Sequence, residues 1–396
     1  MLRWRNLSRT IKKAVRDPEY SLSVFSKRFA SWLSYRFGDG ASALPETISL
    51  FLTYRCNLRC KMCGQWGEDG WARKLTGSEL ASELPLERID ALLDDVASWK
   101  PAITLFGGEP LLYSRWEDLV LHIKSRGLRV NMITNGTLLD RHIGKVVELG
   151  IDEIIFSLDG PEEIHDEMRS GKGIFRRAVT AFTELNELRT KAGSASPRIN
   201  ISTTIFENNY RGLDEVIDVA ESIGADVITF HHLIFQSHAI CERNSEFFRR
   251  EFNLDCADWL GFARETLPDI DAEYLIRKLR ELRKRNSPTR NKKRKQAVAV
   301  SVYPNFTDDE IRRYYSDFEF TSDTYTDRCI SPWMTVYVFP NGDVKPCLDT
   351  CFVAGNLLTE SFREIWNNER YRTYRSALKR CGSFPACKRC TEYYRS

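Results

Sequence analysis

The 396-residue chain has no apolar run near the roughly 18 residues of a membrane-spanning helix, which excludes such a span from the expected architecture. Its basic start, Met1-Leu2-Arg3-Trp4-Arg5, lacks the apolar core of a secretory signal, so a cytoplasmic location is expected. No internal repeat is evident, which excludes a repeat array. With 42% hydrophobic, 12% aromatic and 29% charged residues, the composition excludes a disordered or low-complexity chain. The net charge of +3 is too small to name a partner.

What charge there is lies unevenly. Residues 1–36 carry nine Lys/Arg against Asp17 and Glu19, and residues 277–295 carry eleven against Glu281. These segments stand at +7 and +10, so the +3 total leaves the rest of the chain at −14. No aromatics interleave the 277–295 run and no base-reading module is recognisable, so nucleic acid is not expected as a partner. Residues 1–45 read as a helical preface that starts at Asp17-Pro18. Leu22, Phe25, Phe29, Trp32, Leu33 and Phe37 fall on one face, ahead of Gly38-Asp39-Gly40. That helix would pack outside the main domain or make peripheral membrane contact through residues 1–37.

From residue 46 short apolar strands alternate with amphipathic helices. Strands are expected at 48–53, 102–106, 128–134, 153–158, 198–205 and 227–233, with helices near 86–98, 114–126, 137–149, 173–192 and 211–223. Six βα units in series predict an α/β fold, a partial (β/α)6 TIM-like barrel over 46–240, with its chemistry at the carboxyl ends of the strands. Residues 241–324 read as a helical, basic connection. Residues 325–396 read as a small cysteine-rich domain.

There are eleven cysteines, six of them in the last 68 residues. An odd number suits disulfide pairing poorly, and clustered thiols in a reducing compartment bind metal or do redox chemistry. Cys56, Cys60 and Cys63 follow the first strand, and no fourth Cys or His lies nearby to complete a structural zinc site. Three thiolates can instead hold a [4Fe–4S] cubane that keeps one iron open. Further on, Cys329, Cys347, Cys387 and Cys390 could wrap a second cluster completely, or a zinc ion. Asn341-Gly342 reads as a tight hairpin turn between the apolar runs 334–339 and 344–346. Cys351 and Cys381 are spare, and either could replace an assigned ligand. Cys241 and Cys256 read as ordinary buried thiols.

Cys-x3-Cys-x2-Cys after the first strand of a partial barrel resembles the signature of the radical SAM superfamily. Gly107-Gly108-Glu109-Pro110 ends the second strand and resembles the motif that lines the site of the S-adenosylmethionine amino group. Thr134-Asn135-Gly136 is similar to a tripeptide beside the same pocket. Ser157 and Arg169 resemble the pair that holds the ribose and carboxylate, a role suited to the planar fork of Arg. The family often places an aromatic residue directly after the third cysteine. Here Gly64 stands there, and Trp66 is the candidate to cover the adenine. The segment from Cys329 through Gly342 to Cys347, with Cys387 and Cys390, resembles a SPASM/twitch-type auxiliary-cluster domain.

The resemblance implies an enzyme in which a three-Cys [4Fe–4S] cluster reductively cleaves S-adenosylmethionine. The resulting 5′-deoxyadenosyl radical abstracts hydrogen from a substrate C–H, for oxidation or cross-linking. A four-Cys auxiliary cluster would accept the substrate's electron. Implied partners are a peptide or small-molecule substrate and an electron donor such as flavodoxin or ferredoxin. The competing reading is a non-catalytic zinc or iron–sulfur scaffold that binds RNA or an acidic partner through 277–295. His231 and His232 end the sixth strand, and alternation allows only one of them to face the pocket.

Overall fold

The structure is a computed structural model that describes residues 18–285 and 298–395. The Asp17 cap, the basic residues before it and residues 286–297, which include the end of the second basic run, lie outside the described residues. Helix α1 (Pro18–Phe37) leads into β1 (Thr47–Phe51). The βα series continues through β2 (Ala102–Phe106), β3 (Arg129–Thr134), β4 (Glu153–Ser157), β5 (Arg198–Ile205) and β6 (Val227–His232). Between consecutive strands lie α2 (Leu86–Val96), α3 (Trp116–Ser125), α4 (Ile143–Glu148), α5 (Glu162–Met168) with α6 (Ile174–Lys191), and α7 (Leu213–Ser222). All six strands pair in parallel in sequence order. Apolar residues on one stripe of the crossovers, such as Leu86, Ile89, Leu92, Leu93 and Val96 of α2, bury against the outer sheet face.

Two strands outside this series extend the sheet. β7 (Ala299–Tyr303) adds in parallel beside β6, and β8 (Thr335–Val338) adds in parallel beside β1. β8 then turns back through Asn341-Gly342 into β9 (Asp343–Lys345), which pairs with β10 (Gly355–Asn356). The sheet therefore runs continuously across residue 325. Before β7 come α8 (His238–Phe252) and α9 (Ala272–Arg285), and after it α10 (Asp308–Ser316). α11 (Phe362–Trp366) and α12 (Glu369–Cys381) follow β10.

Strand alternation sets the lumen. In β3 to β6 every second residue is fully buried on the helix-facing side, and the intervening ones face inward. The inward set is largely polar: Asn131, Glu153, Asn200, Ser202, Thr204, Thr229 and His231. On the β8–β1–β2 side Tyr337, Phe51 and Phe106 form an aromatic wall, packed with Tyr54, Trp71 and Phe339. His231 sits on the lumen side, whereas His232 is 1% exposed with Nδ1 2.9 Å from the Tyr315 hydroxyl.

The C-terminal turns bridge the two arms of the open sheet. The Tyr303 hydroxyl on β7 donates to the Thr391 carbonyl at 3.0 Å. Arg395 donates to Thr335 Oγ1 on β8 at 3.0 Å and to Thr47 Oγ1 on β1 at 3.1 Å. Three of the six cations in the described part of the second basic run pair with the protein's own acids. Lys278 pairs with Asp214, Arg285 with Asp218 and Glu221, and Arg280 with Asp308.

Candidate active site

The chain leaves the carboxyl end of β1 as a loop, 53–64, braced from both neighbouring strands. Gly108 N donates to the Thr53 carbonyl at 2.8 Å and Glu109 N to the Arg55 carbonyl at 2.9 Å. Gly107 has φ +148, and a Cβ there would lie 2.8 Å from the Thr53 oxygen. A Cβ on Gly108 would overlap the Arg55 carbonyl. The close approach these glycines permit is thus to the chain itself. Pro110 opens a short 3-10 turn over residues 110–112.

Glu109 is fully buried and points across to β3. It accepts from Thr134 Oγ1 at 2.7 Å, Asn135 N at 2.9 Å and Leu111 N at 3.3 Å. Burial pushes its carboxyl up to about 7, against the pull of these hydrogen bonds. Asn135 reaches back, its Nδ2 donating to Asn57 Oδ1 at 2.9 Å, while Asn57 Nδ2 donates to Thr137 Oγ1 at 2.7 Å. Asn57, between two of the candidate cysteines, was not legible as a site residue because its partners lie about 80 positions away.

Cys56 and Cys60 are half-buried free thiols, as is Cys63. Burial raises the Cys56 thiol to about 12 and that of Cys60 to about 11, with neighbouring cysteines adding to the effect. At Cys60 a cation opposes this, because Arg169 Nη1 lies 4.0 Å from its Sγ. Arg169 is held by Asp159, whose Oδ2 takes Nη2 at 2.7 Å and Nε at 2.9 Å. Asp159 itself is 1% exposed, and its Oδ1 accepts from Thr204 N at 3.0 Å. Burial works against the charge on Arg169, but Asp159 and Cys60 outweigh it and raise the guanidinium pKa. Ser157, at the end of β4 and three strands from the cysteine loop, faces the lumen beside Ser202.

The adenine-side expectation changes. Trp66 is 7% exposed, its indole N–H donates to the Tyr54 carbonyl at 3.1 Å, and Arg59 lies over its face at 3.8 Å. That ring is built into the loop. A Cβ on Gly64 would overlap the ring of Phe262, so an aromatic from a segment 198 positions away fills the space that a residue after the third cysteine would take.

The second set of thiols gathers under the barrel's C-terminal turns. Cys329 N donates to the Gly382 carbonyl at 2.9 Å, and Cys390 N to the Cys387 carbonyl at 3.0 Å. Cys347 Sγ accepts from the buried Tyr374 hydroxyl at 3.2 Å. Burial raises all four thiols, Cys387 to about 11, and the four act on one another electrostatically. Cys351 turns elsewhere. Its N–H donates to Cys256 Sγ at 3.2 Å, and the two thiols are hydrogen-bonded, while Cys381 is exposed.

Residues 50–228 match the Radical SAM superfamily and residues 329–391 match SPASM, an iron–sulfur cluster-binding domain. The chain belongs to the radical SAM superfamily. Among its relatives, the Fe-coproporphyrin III synthase of Methanosarcina barkeri is 31% identical over 213 residues, 50% of each chain, so this chain spans half the length of that relative. The AdoMet-dependent heme synthase of Methanosarcina barkeri is 26% identical over 87% of this chain and 88% of its own. Streptococcus suis SuiB bound to precursor peptide SuiA has the same fold, with a TM-score of 0.61 at 13% identity, covering 95% of this chain and 76% of that one.

Membership of the radical SAM superfamily brings S-adenosylmethionine and a [4Fe–4S] cluster, and the SPASM domain brings auxiliary iron–sulfur binding. The donor sets fit. Each is made of free thiols held off solvent, where thiolates are costly unless a cationic group neutralises them. Among the described residues no three His, Cys, Asp or Glu side chains converge on a single bare ion, so the fit rests on donor chemistry and setting. No helix among the described residues is long and apolar enough to cross a membrane.

Proposed function

We propose that this radical SAM enzyme oxidises or cross-links a peptide or small molecule by hydrogen abstraction in the barrel lumen. Cys56, Cys60 and Cys63 would hold the catalytic cluster, and Cys329, Cys347, Cys387 and Cys390 the auxiliary one. Bound there, the open cluster and S-adenosylmethionine supply a 5′-deoxyadenosyl radical able to abstract hydrogen from an unreactive C–H. The observation that carries this reading is Arg169, held on Asp159 beside Cys60. Asp159 occupies Oδ2-facing N–H groups on one edge of the fork and leaves Nη1 directed toward the cysteine loop, where it would take the methionine carboxylate. Ser157 would steady the ribose, and Asn135 holds the loop through Asn57. The polar lumen with its aromatic wall would orient a substrate that has both flat apolar and hydrogen-bonding parts, and would keep bulk water out.

The whole-length likeness to a heme synthase supports a small-molecule substrate, and the fold likeness to SuiB with its peptide supports a peptide one. The auxiliary site, with four thiols and so no position left for substrate, would serve as electron acceptor. The test is iron quantitation with reductive S-adenosylmethionine cleavage on anaerobically purified protein. About eight iron atoms per chain are expected, falling to about four when Cys56, Cys60 and Cys63 are all replaced by Ala, with 5′-deoxyadenosine formation lost. Cys351→Ala should leave the iron unchanged. Zinc in place of iron, with no cleavage, would sink the proposal.

A further inference from the structure

Helix α1 docks through a mainly polar face, with Tyr35 the aromatic that packs edge-on against Trp333 at 5.0 Å. Lys27 Nζ donates to the Lys100 carbonyl at 2.6 Å, and Ser31 Oγ to the Trp333 carbonyl at 3.0 Å. Ser34 Oγ accepts from Ala43 N at 3.2 Å, and Arg28 Nε pairs with Glu46 at 2.8 Å. Lys27 is 7% exposed and Ser31 fully buried. The apolar face consequently looks outward, with Leu22 70%, Phe25 57%, Phe29 51%, Leu33 38% and Phe37 75% exposed. Among the described residues only Leu121 and Leu358 join them as exposed large hydrophobics, so the patch is a property of this one helix. Its rings are contiguous: Phe25 to Phe29 at 6.5 Å, Phe29 to Trp32 at 6.0 Å, and Trp32 to Phe37 at 6.4 Å. A contiguous apolar strip of this kind on a folded surface marks an interaction site.

We propose that this face of α1 docks on an anionic phospholipid surface, seating its aromatics at the headgroup–acyl boundary. Charge complementarity selects the occupant. The seventeen residues ahead of the helix hold Arg3, Arg5, Arg9, Lys12, Lys13 and Arg16 against Asp17 alone. Basic residues beside an apolar helical face are what an anionic bilayer binds. The geometry also sets the orientation. α1 is fixed to Glu46, Lys100 and Trp333, which precede β1, β2 and β8, so it lies at the amino ends of the strands. Docking therefore leaves the cysteine loop, at the opposite ends, facing away from the membrane.

The experiment is co-sedimentation of the full-length protein with phosphatidylcholine vesicles, with and without about 30% phosphatidylglycerol, at low and high salt. Wild type should bind the anionic vesicles, and binding should fall about 10-fold or more on neutral vesicles and at high salt. A Phe25→Ser/Phe29→Ser/Phe37→Ser variant should lose vesicle binding by a similar factor yet form 5′-deoxyadenosine in solution at the wild-type rate. Equal binding by this variant, or no preference for anionic vesicles, would overturn the proposal. So would a wild-type dimer in light scattering that the variant abolishes while vesicles leave it intact, because the face would then belong to a second copy.

Discussion

Arg169 meets three demands through one planar group: it neutralises Asp159, offsets the thiols at Cys60 and presents N–H donors to the loop. A Lys ammonium is a point charge that cannot serve Asp159 and a carboxylate in two directions at once. Arg169→Lys is therefore expected to raise the KM for S-adenosylmethionine about 10-fold or more with the iron content intact; an unchanged KM would remove Arg169 from the proposed cofactor site. Glu109 gives a pH signature. Its carboxyl is raised from 4.5 to about 7, burial being the main cause, so between those values the folded chain binds more protons than the unfolded one. Its contribution to stability is thus fully present below about 4.5 and is lost as pH rises to about 7. Thermal unfolding across pH 4.5–7 should show wild type losing about 3 kcal/mol relative to Glu109→Gln, which has no proton to release. Parallel profiles would contradict this.

The elements were legible where their signal is local. The strands at 102–106 and 198–205 fall where alternation and flanking turns place them, and the others differ only at their ends. The helix expected over 137–149 shortens to Ile143–Glu148 because the chain first makes a 3-10 turn at Leu139–Arg141, under the packing of α6. The Gly107-Gly108 turn shows what local reading cannot supply. The motif resembles one that lines a cofactor site, and the structure adds that the atoms nearest to a Cβ placed on either glycine are the carbonyls of Thr53 and Arg55. Gly108→Ala should push the cysteine loop off the β2 turn, at a cost of about 1–3 kcal/mol. The iron of the first site should be lost selectively, so that iron falls toward the count of the Cys56/Cys60/Cys63 triple variant. Full iron with normal cleavage would show that the loop accommodates the methyl group.

At the scale of the molecule, the two arms of the sheet are tied together by the last residues described. Arg395 joins Thr335 and Thr47 and pairs with Glu392 at 3.1 Å and Glu46 at 3.8 Å. Arg395→Ala should lower stability by about 2 kcal/mol and speed chelator-driven loss of iron from the auxiliary site, because Cys387 and Cys390 precede this anchor in the same turns. Unchanged unfolding and iron loss would show that the closure is carried by the Tyr303 contact and the aromatic packing around Tyr394.

The sequence by itself determined the family and the succession of the six core strands, and it proposed the thiol sets, because cysteine spacing, glycine motifs and hydrophobic period are all properties of residues close along the chain. Tertiary structure alone decided which faces meet. It set Phe262 against Gly64, turned Cys351 toward Cys256, aimed Glu109 at β3 and oriented α1. In α1 the hydrophobic period was plain, and its usual meaning is a helix with that stripe against the core. The surface it meets instead presents the carbonyls of Lys100 and Trp333 and the carboxylate of Glu46, which need donors once water is excluded. Only the polar face of the helix can supply them.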